Sequence, residues 1–352
     1  MNFYLIGIDY KNTPFDVRED MYRKRRHIAD FWSGHRSQRI AILATCNRIK
    51  LHAIATCNRM ELYGVSEDII DSKQHIELFY KRFPDFFYYG YSAYDKSDIF
   101  RHSLRLACGL ESQLKGEVQI LQQLDSWRSQ DSFPLELAEF WDRAMASSRD
   151  IRKQAALDSN NPNIADIILS ELLKSIGRPP PLNIVIIGTG KVAGLFAKTI
   201  SSIGSISFIS NKNRLRAERL ANLSGGRAAS FGELQEILVG ADAVISATSS
   251  PHFVLSKENF FNTMSRRGKL LYIYDIAMPR DIDPSIGKLN GVVLKNLDDL
   301  AGTFREHNER LSYRLAPAEG LIEEHIKEYE RTSHDHDFEG WHAIQPIGIK
   351  TN

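Results

Sequence analysis

The chain has 352 residues, 43% apolar and 25% charged, which suits two or three domains with their own cores and reads as globular rather than disordered. Its net charge of +1 draws it globally to neither nucleic acid nor a membrane surface, so any RNA contact has to come from a local patch. Cys46, Cys57 and Cys108 form no CxxC pair and no disulfide framework, and no apolar run approaches membrane-spanning length; a reducing cytosol and at least one functional thiol are expected.

Residues 3–8 read as a first strand, because Asp9 and Lys11 follow too soon for a signal peptide. A helix opening at Arg18 and Glu19 carries Arg23, Lys24, Arg25 and Arg26, which either hold a phosphate backbone or form a solvated face. Ala41-Ile-Leu-Ala-Thr-Cys-Asn-Arg48 is nearly restated by Ala53-Ile-Ala-Thr-Cys-Asn-Arg59, a single tandem duplication of which only one copy can occupy a given strand end. In the second copy Cys57 stands beside a fixed cation, Arg59, which can lower a thiol pKa or grip a carboxylate; a cysteine closing a strand can also be a small buried hydrophobe. The aromatics from Phe83 to Tyr94 either stack on bases or cover a core. Helices follow around a break at Gly109, with His102, Arg105, Ser112, Glu117, Gln119 and Gln123 as their polar residues of interest. Residues 135–154 form a further helix with Trp141, Met145 and Ile151 inward. Asn161-Pro162 caps the next, which Gly177 ends before the linker Arg178-Pro-Pro-Pro181.

From Leu182 the pattern alternates strand and helix. The buried strand 183–187 runs into Gly188-Thr-Gly190-Lys-Val-Ala193 and a helix, the arrangement in which a tight glycine turn brings a pyrophosphate to a helix N-terminus. Gly188, Thr189, Gly190, Lys191, Val192 and Ala193 are therefore assigned to a dinucleotide, together with Asn211, Lys212 and Thr248 in the loops that end later strands. The second strand ends in Ser210-Asn-Lys-Asn-Arg214 with no acid to hold a ribose 2′-hydroxyl, and Lys212 or Arg214 would welcome a 2′-phosphate: NADPH is the expected cofactor. Strands at 243–248, 269–276 and 292–294 complete the sheet. Residues 298–331 form a charged helix that Pro317 and Gly320 should kink or split, suited to subunit pairing more than to a core. His334-Asp-His-Asp337 opens a loose tail, and no metal is expected.

Several motifs now stand in one order: Ala55-Thr-Cys-Asn-Arg-Met-Glu-Leu-Tyr63; His102 with Gly109-Leu-Glu-Ser112 and Gly116-Glu-Val-Gln-Ile-Leu121; Asp275-Ile-Ala-Met-Pro-Arg-Asp-Ile-Asp-Pro284; and Asn296-Leu-Asp-Asp-Leu300. Together they resemble the glutamyl-tRNA reductase family, from about Gly7 to about Leu300. The resemblance implies that Cys57 forms a thioester with the glutamyl group and that NADPH reduces it to glutamate-1-semialdehyde, the first step of tetrapyrrole synthesis. It makes Cys57 and His102 catalytic and assigns Thr56, Asn58, Arg59, Ser112, Glu117 and Gln123 to the substrate. It implies glutamyl-tRNA(Glu) and the downstream aminomutase as partners, a homodimer and a cytoplasmic location. Three features depart from the family: the duplicated motif, which leaves Cys46 as a rival nucleophile; a shortened helical region after Leu300; and Asn163-Ile-Ala165 in place of a serine-rich helix start. Two other readings stand beside it: an NADP oxidoreductase on another acyl or aldehyde substrate, against which Arg59, His102 and Ser112 argue, and a non-catalytic relative, which the duplication and the short C-terminus feed.

The expected architecture is α/β: an α+β catalytic domain over 1–160, a connecting helix and Pro-rich linker over 161–181, a Rossmann-type NADP-binding domain over 182–297, and a short helical segment and tail over 298–352.

Overall fold

The computed structural model describes residues 2–33, 39–44, 59–66, 69–130, 133–158, 163–200, 204–210 and 213–332. Cys46, Thr56, Cys57, Asn58, Asn211, Lys212 and the His334–Asp337 tail all lie outside the described residues. Two units emerge, Met1–Asn161 with His307–Asn352, and Pro162–Glu306.

In the first unit, β1 (Asn2–Asp9) is apolar enough to be buried almost end to end. It is followed by α1 (Phe15–Ser33), β2 (Arg39–Ala44), β3 (Arg59–Ser66), α2 (Ile69–Arg82), α3 (Pro84–Tyr88), β4 (Tyr91–Ala93), α4 (Lys96–Ala107), α5 (Gln119–Arg128) and α6 (Leu135–Gln154). The sheet runs β2-β3-β1-β4, every pair antiparallel. Its register sets Gly7 opposite both Glu61 and Tyr91. On α1, Arg23 and Lys24 pair with Glu19 and Asp20 one turn back, at 3.1 and 2.6 Å, and Arg25 lies over the Tyr22 ring, so three of the four cations are engaged within the helix. Phe83 and Phe86 pack on Phe79, while Tyr88 and Tyr89 are exposed: the aromatic stretch is only partly core. The core around α4, α5 and α6 centres on Tyr63, Trp127 and Trp141, whose rings meet edge to face at 4.9 Å about Trp141.

The second unit begins with α7 (Ile164–Ile176). Its cap is Asn163, which accepts from the Ala165 N–H at 2.8 Å while Asp166 bonds back to the Asn163 N–H at 2.9 Å. That reciprocal box starts the helix two residues later than the sequence reading placed it. There follow β5 (Leu182–Ile187), α8 (Lys191–Thr199), β6 (Gly204–Ile209), α9 (Arg214–Ser224), β7 (Arg227–Ala229), α10 (Leu234–Gly240), β8 (Ala243–Ser246), α11 (Lys257–Met264), β9 (Leu271–Asp275) and β10 (Val292–Asn296). The parallel sheet runs β10-β9-β8-β5-β6-β7, the doubly wound order of dinucleotide-binding folds. In this unit, two elements were not legible in the sequence. Strand β7 is three residues long and carries no β-branched side chain, and α11 is rich in weak helix formers.

The last element, α12 (Ala301–Thr332), corrects two expectations. It is one continuous helix with Pro317 inside it. Its apolar stripe, Leu311, Leu315, Ala318, Ile322, Ile326 and Tyr329, is buried in the core of the first unit, and Tyr329 stacks on Phe100 of α4 at 3.9 Å. Burying five large side chains at about 2 kcal/mol each outweighs the roughly 3 kcal/mol that an interior proline costs, so tertiary packing keeps the helix whole.

Candidate active site

The site of the first unit is built on β3. Side chains alternate along a strand, so Arg59, Glu61 and Tyr63 share one face. Glu61 is fully buried and is the hub. One carboxylate oxygen accepts from Arg59 Nη1 at 2.7 Å, Tyr91 Oη at 2.6 Å and His102 Nε2 at 2.8 Å, and the other accepts from Tyr63 Oη at 2.8 Å. Burial alone would push its pKa up, but the charges of His102 and Arg59 and the hydrogen bonds from His102 and Tyr91 hold it far below the usual carboxylate range. An ionised carboxylate only accepts, so His102 Nε2 carries a proton and Nδ1 is the ring atom left for chemistry. Tyr91 reaches Glu61 because residue 7 is glycine. A Cβ there would stand 2.6 Å from Tyr91 Cζ.

Arg59 is nearly sealed from solvent, its side chain 2% exposed. Burial opposes its charge, yet Glu61, Tyr91 and Asp9 keep it firmly protonated. Its second terminal nitrogen donates to the Glu111 carbonyl. The Glu111 carboxylate pairs with Lys11 and, at 2.6 Å, with Arg105, and these hold it at about 2 despite burial. Ser112 is buried next in the chain, and its carbonyl accepts from Tyr10 Oη at 3.3 Å. Arg59, His102 and Ser112 are thus brought together through Glu61 and Glu111. Glu117 and Gln123 have no described bond to this cluster: burial pushes Glu117 up to about 7 against the pull of Arg152, and Gln123 Oε1 is buried with no hydrogen-bond partner among the described residues. Cys108 is no rival nucleophile, since burial pushes its thiol up to about 12.

Sequence reasoning missed Glu61, Tyr91 and Arg152. The signal for Glu61 was present, a carboxylate two residues after Arg59 in an otherwise apolar strand. Arg152 gave none; from α6 it donates to the Cys108 carbonyl at 2.9 Å, the Gly116 carbonyl at 3.3 Å and Asp158 at 2.8 Å, tying both ends of the 108–117 loop.

In the second unit, Gly188 follows β5 with φ of 112°, and a Cβ there would stand 2.6 Å from the Ala247 carbonyl. Gly190 caps α8, with Thr189, Lys191, Val192 and Ala193 beside it. This turn and the loop after β8 flank the point where strand order reverses, and its glycine backbone fits a pyrophosphate at a helix N-terminus. Thr248 is already engaged: its hydroxyl and N–H both donate to Asp281, the latter at 2.8 Å, and its hydroxyl accepts from the Ser250 N–H at 3.0 Å. Asp281 also takes Ser246 Oγ at 2.7 Å. Asp275 accepts backbone N–H bonds from Ala277 and Ile282, and burial with the nearby Asp281 charge pushes it up to about 7. The motif 275–284 therefore fastens the loop after β9 to the loop after β8. After β6, Asn213, Leu215, Arg216, Arg219 and Leu220 line a cavity of about 560 Å³. Arg214 is paired instead with Glu218 at 2.9 Å.

Comparison with known proteins matches residues 51–155 to the glutamyl-tRNA(Glu) reductase N-terminal domain and residues 172–303 to the shikimate/quinate 5-dehydrogenase domain. Glutamyl-tRNA reductase of Archaeoglobus fulgidus is 31% identical over 336 residues, covering 93% of this chain and 73% of that protein. The Bacillus subtilis enzyme is 29% identical over 346 residues, covering 94% and 73%. The solved glutamyl-tRNA reductase of Methanopyrus kandleri aligns with 94% of this chain and 79% of its own at 24% identity, with a TM-score of 0.45. With the N-terminal family domain covering the strand and helices that carry Arg59, Glu61 and His102, and the archaeal relative matching nearly the whole chain, this chain belongs to the glutamyl-tRNA reductase family.

Proposed function

We propose that this enzyme reduces glutamyl-tRNA(Glu) to glutamate-1-semialdehyde with NADPH, releasing tRNA, as the first step of tetrapyrrole synthesis. The observation that carries the reading is the Glu61 cluster, which orients Arg59 and His102 two residues along the chain from Cys57 at its nearest point. The Cys57 thiolate attacks the ester carbonyl; a C–S bond forms, the ester C–O bond breaks, and the tRNA hydroxyl leaves with a proton. His102 Nδ1 is suited to move that proton while Glu61 fixes the ring. Arg59 has five N–H donors, of which the described bonds use two, and the others receive the substrate carboxylate. Thr56, Asn58, Ser112, Glu117 and Gln123 complete the substrate pocket in this reading. NADPH, held at the Gly188–Ala193 turn, would supply the hydride that reduces the thioester to the aldehyde and frees the Cys57 thiolate.

In the same reading residues 1–160 bind glutamyl-tRNA and 182–297 bind the cofactor through Gly188–Ala193, Asn211, Lys212 and the Thr248 loop. Arg216 and Arg219, beside the cavity after β6, favour a 2′-phosphate there. A homodimer in the cytoplasm, handing its reactive amino-aldehyde to the downstream aminomutase, completes the proposal; its subunit contact would lie outside the buried stripe of α12. Among the described residues no helix is long and apolar enough to cross a membrane.

The test is turnover with charged and uncharged tRNA(Glu). NADPH oxidation stoichiometric with aldehyde, seen only with charged tRNA, is the expected result. Binding of charged tRNA without turnover would replace this reading with a non-catalytic one.

A further inference from the structure

The loop 108–117 bears on the glutamyl site at several atoms, because the Glu111 carbonyl receives Arg59 and Ser112 lies beside it. Its ends are tied by Arg152. Its middle is held from α12, 195 residues away in sequence. Asn308 Nδ2 donates to the Gln113 carbonyl at 2.9 Å, and Asn308 Oδ1 accepts from the Lys115 N–H at 3.0 Å. One side-chain amide thereby satisfies a donor and an acceptor of the loop backbone, two residues apart. Eleven residues, or three turns, further along the same helix, Glu319 pairs with Arg105, whose Nε holds the Glu111 carboxylate at 2.6 Å. Both contacts end on the segment that presents Glu111.

We propose that α12 is a positioning element for glutamyl recognition: Asn308 clamps the turn at Gln113–Lys115, and Glu319, through Arg105, sets Glu111, so that Arg59 and Ser112 meet the aminoacyl group in one geometry. This rests on the substrate reading above. The chemistry favours asparagine, since only an amide offers a donor and an acceptor side by side at this reach. Alanine removes both bonds. Aspartate keeps the acceptor but sets a charge against the Gln113 carbonyl.

The experiment uses the full chain with glutamyl-tRNA(Glu), uncharged tRNA(Glu) and NADPH. Asn308→Ala is expected to raise KM for glutamyl-tRNA about five- to tenfold, the scale of one or two net hydrogen bonds, with kcat within about twofold. Affinity for uncharged tRNA and for NADPH should not change, because neither ligand carries the glutamyl group. Glu319→Gln, at the half-exposed end of the relay, is expected to act in the same direction by about two- to threefold and secures the test if Asn308→Ala folds poorly. Loss of charged and uncharged tRNA binding in equal proportion would overturn the proposal in favour of general destabilisation, and so would an unchanged KM in both variants. An unsubstituted chain that fails to turn over charged tRNA would instead overturn the function reading.

Discussion

At the scale of single residues, the cluster on β3 is organised by one buried carboxylate. Glu61 satisfies four donors from two strands and a helix, and replacing any one of them leaves a buried charge short of a partner. The duplicated Thr-Cys-Asn-Arg leaves two candidate nucleophiles, Cys46 and Cys57, and the proposed function takes the second. Arg59, which ends the second copy, opens β3 and joins the Glu61 cluster, while in sequence Arg48 is followed by Ile49-Lys50-Leu51 rather than by Met-Glu-Leu. Cys57→Ser is therefore expected to cut reduction by about 10³-fold or more, and Cys46→Ser to leave most of it. Peptide mapping of the trapped labelled glutamyl-enzyme checks this, and label on Cys46 would reverse the assignment. Glu117 gives a pH test. Its folded pKa is raised from 4.5 to about 7, so the protonated form is favoured by folding; stability is full below 4.5 and falls as pH rises through 7. Glu117→Gln should then raise stability by about 1–3 kcal/mol at pH 8 and change little at pH 4, read by denaturant unfolding at both. If Glu117 serves the substrate, the same variant gains stability at the expense of kcat/KM.

Among elements, α12 departs most from what its sequence suggested. Its charged, proline-bearing pattern reads as a connecting or subunit-pairing helix, but its stripe closes the core over α4 and α6. Ile322 is fully buried there, and Ile322→Ala is expected to cost about 2–4 kcal/mol. Thermal unfolding across a dilution series checks it. A loss that is the same at every protein concentration places the side chain in its own subunit's core, and a loss seen only as weaker association would restore the pairing role. Cutting the chain after Leu300 would strip this core away, so truncation cannot serve as a clean test of dimerisation.

For the whole molecule, the proposed function divides the chemistry between the two units, with substrate recognition assigned to the one with an antiparallel sheet and cofactor binding to the one with a parallel sheet. In that reading, cofactor choice belongs to the second. Lys212, which lies between β6 and α9 in sequence, and Arg216 and Arg219, which line a cavity at α9, should make NADPH outcompete NADH by one to two decades, since one charge-assisted contact to a phosphate contributes about 1.5–3 kcal/mol. Lys212→Asp should narrow or invert that preference in kcat/KM for the two cofactors. Equal use of both by the unsubstituted protein would refute it.

Sequence alone determined the features whose physics is local. The glycine turn after β5, the apolar strands of the parallel sheet, the helix at 135–154 and the ordered motifs all show in stretches of ten or twenty residues, because periodicity and backbone freedom act over that range. Tertiary structure decided what depends on register and long-range packing. Glu61 becomes a hub only because β1 sets Gly7 between it and Tyr91 and α4 brings His102 alongside. Pro317 is tolerated only because the stripe around it is buried. Asn308 reaches a loop nearly two hundred positions earlier in the chain because α12 docks back on the first unit, and no pattern within one segment carries that pairing.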